Sequence, residues 1–231
     1  TPKAHIVSDT ARSVISSSSA RVPDVSAAVL VGGHSRRMGR DKAVLEWRGQ
    51  SFLHHITETL TQVFDDVMLV GEKKQADLPF PVRAIPDIHP DCGPLSGIHA
   101  ALMHAKSDTV FVTACDTPRI TASLIRNFLC LWRGTAAFAA REGDRIHPLF
   151  ALYTKYALQA IEAALRGGAH RVQPLLRDLG AEFADLDRFN PDGIADVLRN
   201  VNTPEEYEAL LRGGNPPGTR EPNPESREKD G

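Results

Sequence analysis

Ala27-Ala28-Val29-Leu30-Val31-Gly32-Gly33-His34-Ser35-Arg36-Arg37-Met38-Gly39-Arg40-Asp41-Lys42 decides the reading of this chain. It opens as an unbroken apolar run, the pattern of a strand buried on both faces of a parallel sheet. The run stops at Gly32-Gly33, and Arg36, Arg37, Arg40 and Lys42 follow. A strand that ends in glycines and feeds a basic loop is how α/β proteins hold phosphate. Glycine lets the backbone approach a ligand and aim N–H groups at it. Arg37 then offers a planar fork and Lys42 a point charge.

Two common phosphate templates do not fit. A Walker A loop needs Lys-Ser or Lys-Thr straight after its last glycine, and Gly39 is followed by Arg40-Asp41-Lys42. The dinucleotide fingerprint G-x-G-x-x-G does not match Gly32-Gly33 followed by Gly39. Taken alone, the glycine pair also reads as an ordinary basic surface loop after a core strand, so the rest of the chain has to decide.

The chain has 231 residues, enough for one sizeable core. Apolar residues make up 42% and charged residues 24%, values of a soluble globular protein. The net charge of −2 gives no global basic field, so nucleic acid is not expected as a partner. Cys92, Cys115 and Cys130 show no C-x-x-C spacing. That argues against zinc and against a disulfide framework, and it fits a reducing, cytoplasmic compartment. No apolar run approaches the ~20 residues that span a bilayer, and the first residues carry no apolar signal region. No membrane role is expected.

Residues 1–24 are Ser-rich and without a sustained period, and read as a disordered extension. Residues 213–231, with Pro216-Pro217, Pro222 and Pro224 among charges, read as a disordered tail. Residues 25–212 read as one domain. Within it, strands are expected at Val25–Val31, Asp66–Val70, Pro81–Ile85 and Thr109–Thr113. Between them lie helices capped by Ser51 and Thr121, and one that starts at Gly93-Pro94 with Pro94 at its first turn. This alternation implies an α/β, Rossmann-like three-layer fold with a mostly parallel sheet and helices on both faces. Thr135–Ala140 and Ile146–Leu152, joined by Arg141–Arg145, predict an antiparallel element in the C-terminal half. Helices follow at about 154–166 and 171–179. The last one opens with a capping box, Thr203-Pro204-Glu205-Glu206.

Ligands of such sheets bind outside the carboxyl ends of the strands. The Gly32-Gly33 loop, Asp87 and Asp116 each follow such an end, so all three are expected on one rim. A phosphate cradle with two carboxylates suggests a nucleotide held with Mg²⁺, which is usually bound by one or two carboxylates plus substrate phosphates. Either carboxylate is also compatible with a plain turn beside proline, because Asp116 precedes Thr117-Pro118 and Asp87 follows Pro86. Cys115 reads as packing rather than as a nucleophile. The histidines, among them His54, His55, His99 and His104, match no metal-ligand spacing and read mostly as solvated.

The whole set resembles the molybdenum cofactor guanylyltransferase (MobA-like nucleotidyltransferase) family over most of residues 26–211. The motifs are the opening loop, Ile85-Pro86-Asp87, Gly93-Pro94-Leu95-Ser96-Gly97, Cys115-Asp116-Thr117-Pro118, His147-Pro148 and Val201-Asn202-Thr203-Pro204-Glu205-Glu206. The resemblance implies transfer of GMP from GTP to the terminal phosphate of molybdenum-bound molybdopterin. It implies that Leu30, Val31, Gly32, Gly33, Lys42 and Asp87 bind the nucleotide, and that Asp116 holds both nucleotide and Mg²⁺. Arg37, Lys42 and Asp116 are the implied catalytic residues, and His147, Arg171, Asn200 and Asn202 the implied acceptor contacts. Implied partners are proteins that deliver molybdopterin and mature molybdoenzymes. Relatives that use CTP read Ala-Ala-Gly where this chain has Val31-Gly32-Gly33, which favours GTP. The chain departs from the family after the second strand, where some members carry a nucleotide-contacting Asn and this one reads Val70-Gly71-Glu72-Lys73. A CTP-using relative, an enzyme acting on a sugar phosphate and a non-catalytic nucleotide-binding adaptor are the other readings.

Overall fold

The apolar run at 25–30 forms β1 (Val25–Leu30), and five of its six residues are buried. β1 is an interior strand of a seven-stranded sheet, in a computed structural model that describes residues 21–31, 45–71, 78–88, 92–190, 193–194 and 196–212. On one side β1 pairs in parallel with β4 (Val67–Val70), Leu30 opposite Val70. β4 in turn pairs with β5 (Arg83–Ile85). On its other side β1 pairs in parallel with β6 (Thr109–Ala114), Leu30 opposite Ala114. Between β1 and β4 come a small hairpin, β2 (Glu46–Trp47) and β3 (Gln50–Ser51), and helix α1 (Phe52–Thr61). Ser51 caps α1, its hydroxyl accepting from the His54 N–H at 3.1 Å. Gly93 and Pro94 open α2 (Pro94–His104), and Thr121 caps α3 (Ala122–Leu131).

The antiparallel element is present but longer than its sequence signal. β7 (Ala137–Glu142) and β8 (Arg145–Thr154) meet at a two-residue turn, Gly143-Asp144. The expected five-residue turn is shorter because Arg141 and Glu142 pair with Ile146 and Arg145. β8 inserts between β6 and β7 and alone runs against the other strands of this sheet. α4 (Leu158–Arg166) and α5 (Val172–Asp178) follow, then β9 (Glu182–Asp185), which adds to β7 in parallel and which no sequence pattern announced. α6 (Pro204–Leu211) carries the expected capping box in full.

The sheet separates two cores. On one face α1 and α3 pack Leu53, Ile56, Leu60, Leu124, Ile125 and Phe128 against Val29, Phe111 and Phe150. Ring stacking fills this side, with Phe111 and Phe150 5.0 Å apart and Phe128 and Phe138 4.8 Å apart. On the other face α2, α4 and α5 pack Leu95, Ile98, Ile161 and Leu175 against Ala28, Met68, Val112 and Tyr153. The α/β three-layer reading therefore holds. The expected disordered segments fall outside the described residues for 1–20 and 213–231. Among the described residues no helix is long and apolar enough to cross a membrane.

One buried carboxylate holds the end of the sheet opposite the rim. Asp66 is 7% exposed. It accepts from the Ser26 hydroxyl at 2.7 Å, the Lys106 N–H at 3.1 Å and both Nε and Nη2 of Arg83 at 2.9 Å. Burial pushes its carboxyl up, but these four bonds outweigh it and hold the group below the usual carboxylate range. Its stabilisation is thus complete above pH about 3.8, the value in the unfolded chain, and is lost as pH falls through the lower folded value. Asp66→Asn should cost about 2 kcal/mol at neutral pH, the worth of charge-assisted hydrogen bonds. It should also flatten the acid limb of the stability curve in urea melts between pH 2 and 5. An unchanged acid limb would remove Asp66 from the acid response.

Candidate active site

At the carboxyl ends of β4, β1 and β6 the ladder runs one residue past each strand. The Val31 N–H donates to Val70 C=O at 2.8 Å, Gly71 N–H to Ile85 C=O at 3.0 Å and Cys115 N–H to Leu30 C=O at 3.3 Å. The chain leaves β1 toward β4 on one side and later returns as β6 on the other. The β1/β6 crevice is therefore the topological switch point, where open α/β sheets place ligands. Leu30, Val31 and Asp116 flank it. Gly32, Gly33, Arg37 and Lys42 follow β1 directly in sequence and lie outside the described residues.

Asp87 follows β5, three strands from β6. At about 4.8 Å per strand its backbone is roughly 14 Å across the sheet from that of Asp116. Side-chain contacts bring it inward. The Ser96 hydroxyl, in the first turn of α2 and fully buried, donates to an Asp87 carboxylate oxygen. The next residue, Gly97, lies against Leu30: a methyl group at Gly97 would sit 3.0 Å from Leu30 Cδ2. A chain of contacts thus runs from Asp87 through Ser96 and Gly97 to the end of β1. Neither Ser96 nor Gly97 stood out by itself; the available signal was a glycine inside a helical pattern.

Gly71 is a tighter constraint. Its φ is +146°, and a Cβ there would lie 1.7 Å from Val31 O and 2.8 Å from Val31 C. Only glycine lets the β4 exit cross Val31, the residue after β1, at this distance.

Asp116 is 8% exposed in the turn after β6. Its backbone carbonyl accepts from the Val201 N–H at 2.9 Å. Asn200 and Asn202 flank Val201, so both are delivered to the Asp116 end of the crevice. The segment is stiff. Thr203 Oγ1 accepts from the Glu206 N–H at 3.2 Å, and Glu206 Oε2 accepts from the N–H groups of Thr203 at 3.1 Å and Asn202 at 2.6 Å. A small cleft beside it is lined by Pro118, Arg119, Asp196, Arg199, Asn200 and Glu206. Its two guanidinium groups were not singled out from sequence.

His147 lies on β8, on the rim side of Phe150, which pairs with Thr113. It is 7% exposed, with Nε2 3.5 Å from Glu142 Oε2. Burial, then Arg145, hold its ring below the usual histidine range, against the opposing pull of Glu142. Burial thus favours the uncharged ring. Arg171 is exposed at the N-cap position of α5 and makes no side-chain capping bond. Its neighbour His170 touches the start of α2: a methyl group at Gly93 would lie 3.2 Å from His170 O. The structure thus gathers Asn200 and Asn202 beside Asp116, sets His147 on the adjacent strand, and leaves Arg171 by the α2 entrance. His99, expected among solvated histidines, is instead 6% exposed, with Nε2 3.6 Å from Glu162 on α4. α2 packs along α4, which covers it. Cys115 is buried in the core, as expected of a packing residue.

Among the described residues no group of three His, Cys, Asp or Glu side chains could enclose a metal ion. The donors that are present, hard carboxylate oxygens at the rim, fit an ion that takes its other ligands from phosphates and water. They do not fit zinc, which needs three or four protein ligands. The arrangement suits charge neutralisation and alignment of a polyphosphate.

Residues 27–183 match the MobA-like NTP transferase domain. The molybdenum cofactor guanylyltransferase of Syntrophotalea carbinolica is 36% identical over 194 residues, covering 82% of this chain and 91% of that one. The crystal structure of molybdopterin-guanine dinucleotide biosynthesis protein A from Archaeoglobus fulgidus superposes with a TM-score of 0.69 at 24% identity. It covers 81% of this chain and 97% of that one. A Mycobacterium tuberculosis protein crystallised in complex with manganese matches with a TM-score of 0.53 at 17% identity, over 82% of this chain and 98% of that one. The extent of the match and the open α/β sheet agree: the chain belongs to the MobA-like NTP transferase domain family and is an enzyme, a nucleotidyltransferase.

Proposed function

We infer that the enzyme transfers GMP from GTP to the terminal phosphate of molybdenum-bound molybdopterin, releasing pyrophosphate. The observation that carries this reading is Asp116 at the β1/β6 switch point with Asn200 and Asn202 fastened beside it. One end of the crevice then serves the nucleotide and the other the acceptor. The similarity to the S. carbinolica guanylyltransferase supports the choice of substrates.

In the proposed reaction an acceptor phosphate oxygen bonds to the α-phosphorus of GTP. The bond from that phosphorus to the bridging oxygen breaks, and pyrophosphate leaves with its electron pair. The attacking phosphate is already ionised, so no general base is needed. Two polyanions must meet, so alignment and neutralisation dominate the barrier. Leu30, Val31, Gly32, Gly33 and Asp87 bind the nucleotide in this reading. Arg37 and Lys42 would neutralise the charge that develops on the leaving pyrophosphate. Asp116 would hold a divalent ion, Mg²⁺ in the cell, which neutralises phosphate charge. The fold neighbour from M. tuberculosis was crystallised in complex with manganese, in keeping with use of a divalent ion. The buried His147 and the exposed Arg171 serve the acceptor together with Asn200 and Asn202. Proteins that supply molybdopterin and receive the product are the expected partners, in the cytoplasm.

Calorimetric titration with Mg²⁺ and each of GTP, CTP, ATP and UTP tests the base. GTP is expected to bind tightest; a CTP preference would move the enzyme to the cytidylyl branch despite Val31-Gly32-Gly33. Lys42→Ala should lower kcat/KM by about a hundred-fold or more, as removal of one preorganised charge from a transition state does. An unchanged kcat/KM would take Lys42 out of the site.

A further inference from the structure

We propose that Ser96 is a positioning residue of the nucleotide site, whose hydroxyl fixes the orientation of the Asp87 carboxylate. The proposal rests on the nucleotidyltransferase reading above, in which Asp87 contacts the nucleotide, and deepens it.

Ser96 is fully buried in the first turn of α2, so its hydroxyl has to find a partner inside the protein. Its proton goes to a carboxylate oxygen of Asp87, on the loop after β5. A hydroxyl has one proton to give, and an ionised carboxylate can only accept. The bond is therefore charge-assisted and directional. It takes rotational freedom from a half-buried side chain that follows a three-residue strand at the edge of the sheet.

Ser96 has no room to turn. Leu95 and Ile98, on either side of it in α2, are fully buried in one core with Met68, Val70 and Ile85. The helix packs against β5, β4 and β1 alike. Gly97, the next residue, meets Leu30: a Cβ there would lie 3.0 Å from Leu30 Cδ2 and 3.1 Å from Cδ1. β5, which leads to Asp87, and β1, which ends at Leu30, are separated by β4 and lie about 10 Å apart. Successive residues of one helical turn thus seat two side chains from separate strands. Both bind the nucleotide in the proposed reaction. The turn sets their relative placement before the ligand arrives, which spares binding the cost of ordering them.

A carboxylate near the start of a helix also favours the helix through its dipole. Were that the whole role of the bond, Ser96→Ala would cost stability alone. A positioning bond costs affinity, and only while Asp87 is present to be positioned.

A double-mutant cycle on GTP affinity separates the two, by calorimetric titration of the full chain with GTP and Mg²⁺ alongside thermal melting. Ser96→Ala should weaken GTP binding about ten-fold, the worth of a hydrogen bond to a charged group. Asp87→Ala should weaken it roughly thirty-fold. In the Asp87→Ala background, Ser96→Ala should then change affinity by less than about two-fold. Ile161→Val, buried on α4, is the control: it lowers the melting temperature and leaves affinity unchanged. A Ser96→Ala variant that melts lower but binds GTP as wild type does would overturn the proposal. An equal loss in both backgrounds would overturn it too, since Ser96 would then act by a route that does not pass through Asp87. Absence of any nucleotide binding by the wild-type chain would overturn the guanylyltransferase reading and the proposal with it.

Discussion

Asp116→Asn is expected to lower metal-dependent turnover by about a thousand-fold or more, from the several kcal/mol a metal–phosphate interaction contributes at roughly 1.4 kcal/mol per decade. The fold should survive. Asp116 meets Val201 through its backbone carbonyl, which the substitution leaves in place. Asparagine has nearly the same volume, so the 8% exposed site keeps its packing. Only the negative charge is lost. Pyrophosphate release measured against Mg²⁺ concentration reads the effect, and thermal melting reads the fold. Wild-type turnover with wild-type metal dependence would show that the carboxylate is a turn residue and nothing more.

Gly71→Ala should be nearly as damaging by a different route. The added methyl would lie 1.7 Å from Val31 O, a backbone atom that cannot rotate away. The residue would also keep a φ of +146°, which L-residues rarely adopt. Strain and overpacking together cost on the order of 3 kcal/mol or more. That lowers the melting temperature by about 6–12 °C for a chain of this size. The backbone that must give way is Val31, which leads directly into Gly32-Gly33. Nucleotide affinity should therefore fall even at temperatures where the variant is fully folded. A variant that melts and binds as wild type does would mean that the crossing relaxes without cost.

Much of the scaffold was legible because its signals are local. The runs at 25–30 and 109–114 are apolar on both faces, as central parallel strands must be. Ser51, Thr121 and Thr203 each announced a helix start through a hydroxyl that accepts an N–H three residues on. The β7–β8 hairpin was visible, but not its length, since Arg141, Glu142 and Arg145 look like loop residues and pair as strand. β9 was missed because only Ala184 of its four residues is buried. Within the site, Asp87 and Asp116 could be placed by their position after strands. What joins them to the rest could not. The Asp87–Ser96 bond, the Gly71–Val31 crossing and the Asp116–Val201 bond depend on elements that meet only in three dimensions, and none leaves a period in the sequence. The basic character of residues 36–42 was plain from charge alone, while the role of each cation there rests on the family resemblance.

The Asp116–Val201 bond, and one from the Tyr207 hydroxyl to Glu46 C=O, set an order of events during synthesis. The hairpin of β7 and β8 and the pairing of β1 with β4 close short loops, and can form while the chain is still being made. The Asp116–Val201 and Glu46–Tyr207 contacts cannot, because their second partners are among the last residues of the fold to leave the ribosome. A nascent chain that has already paired these strands would still lack both contacts. The Asp116 turn gains its backbone partner, Val201, only once the segment before α6 has been made.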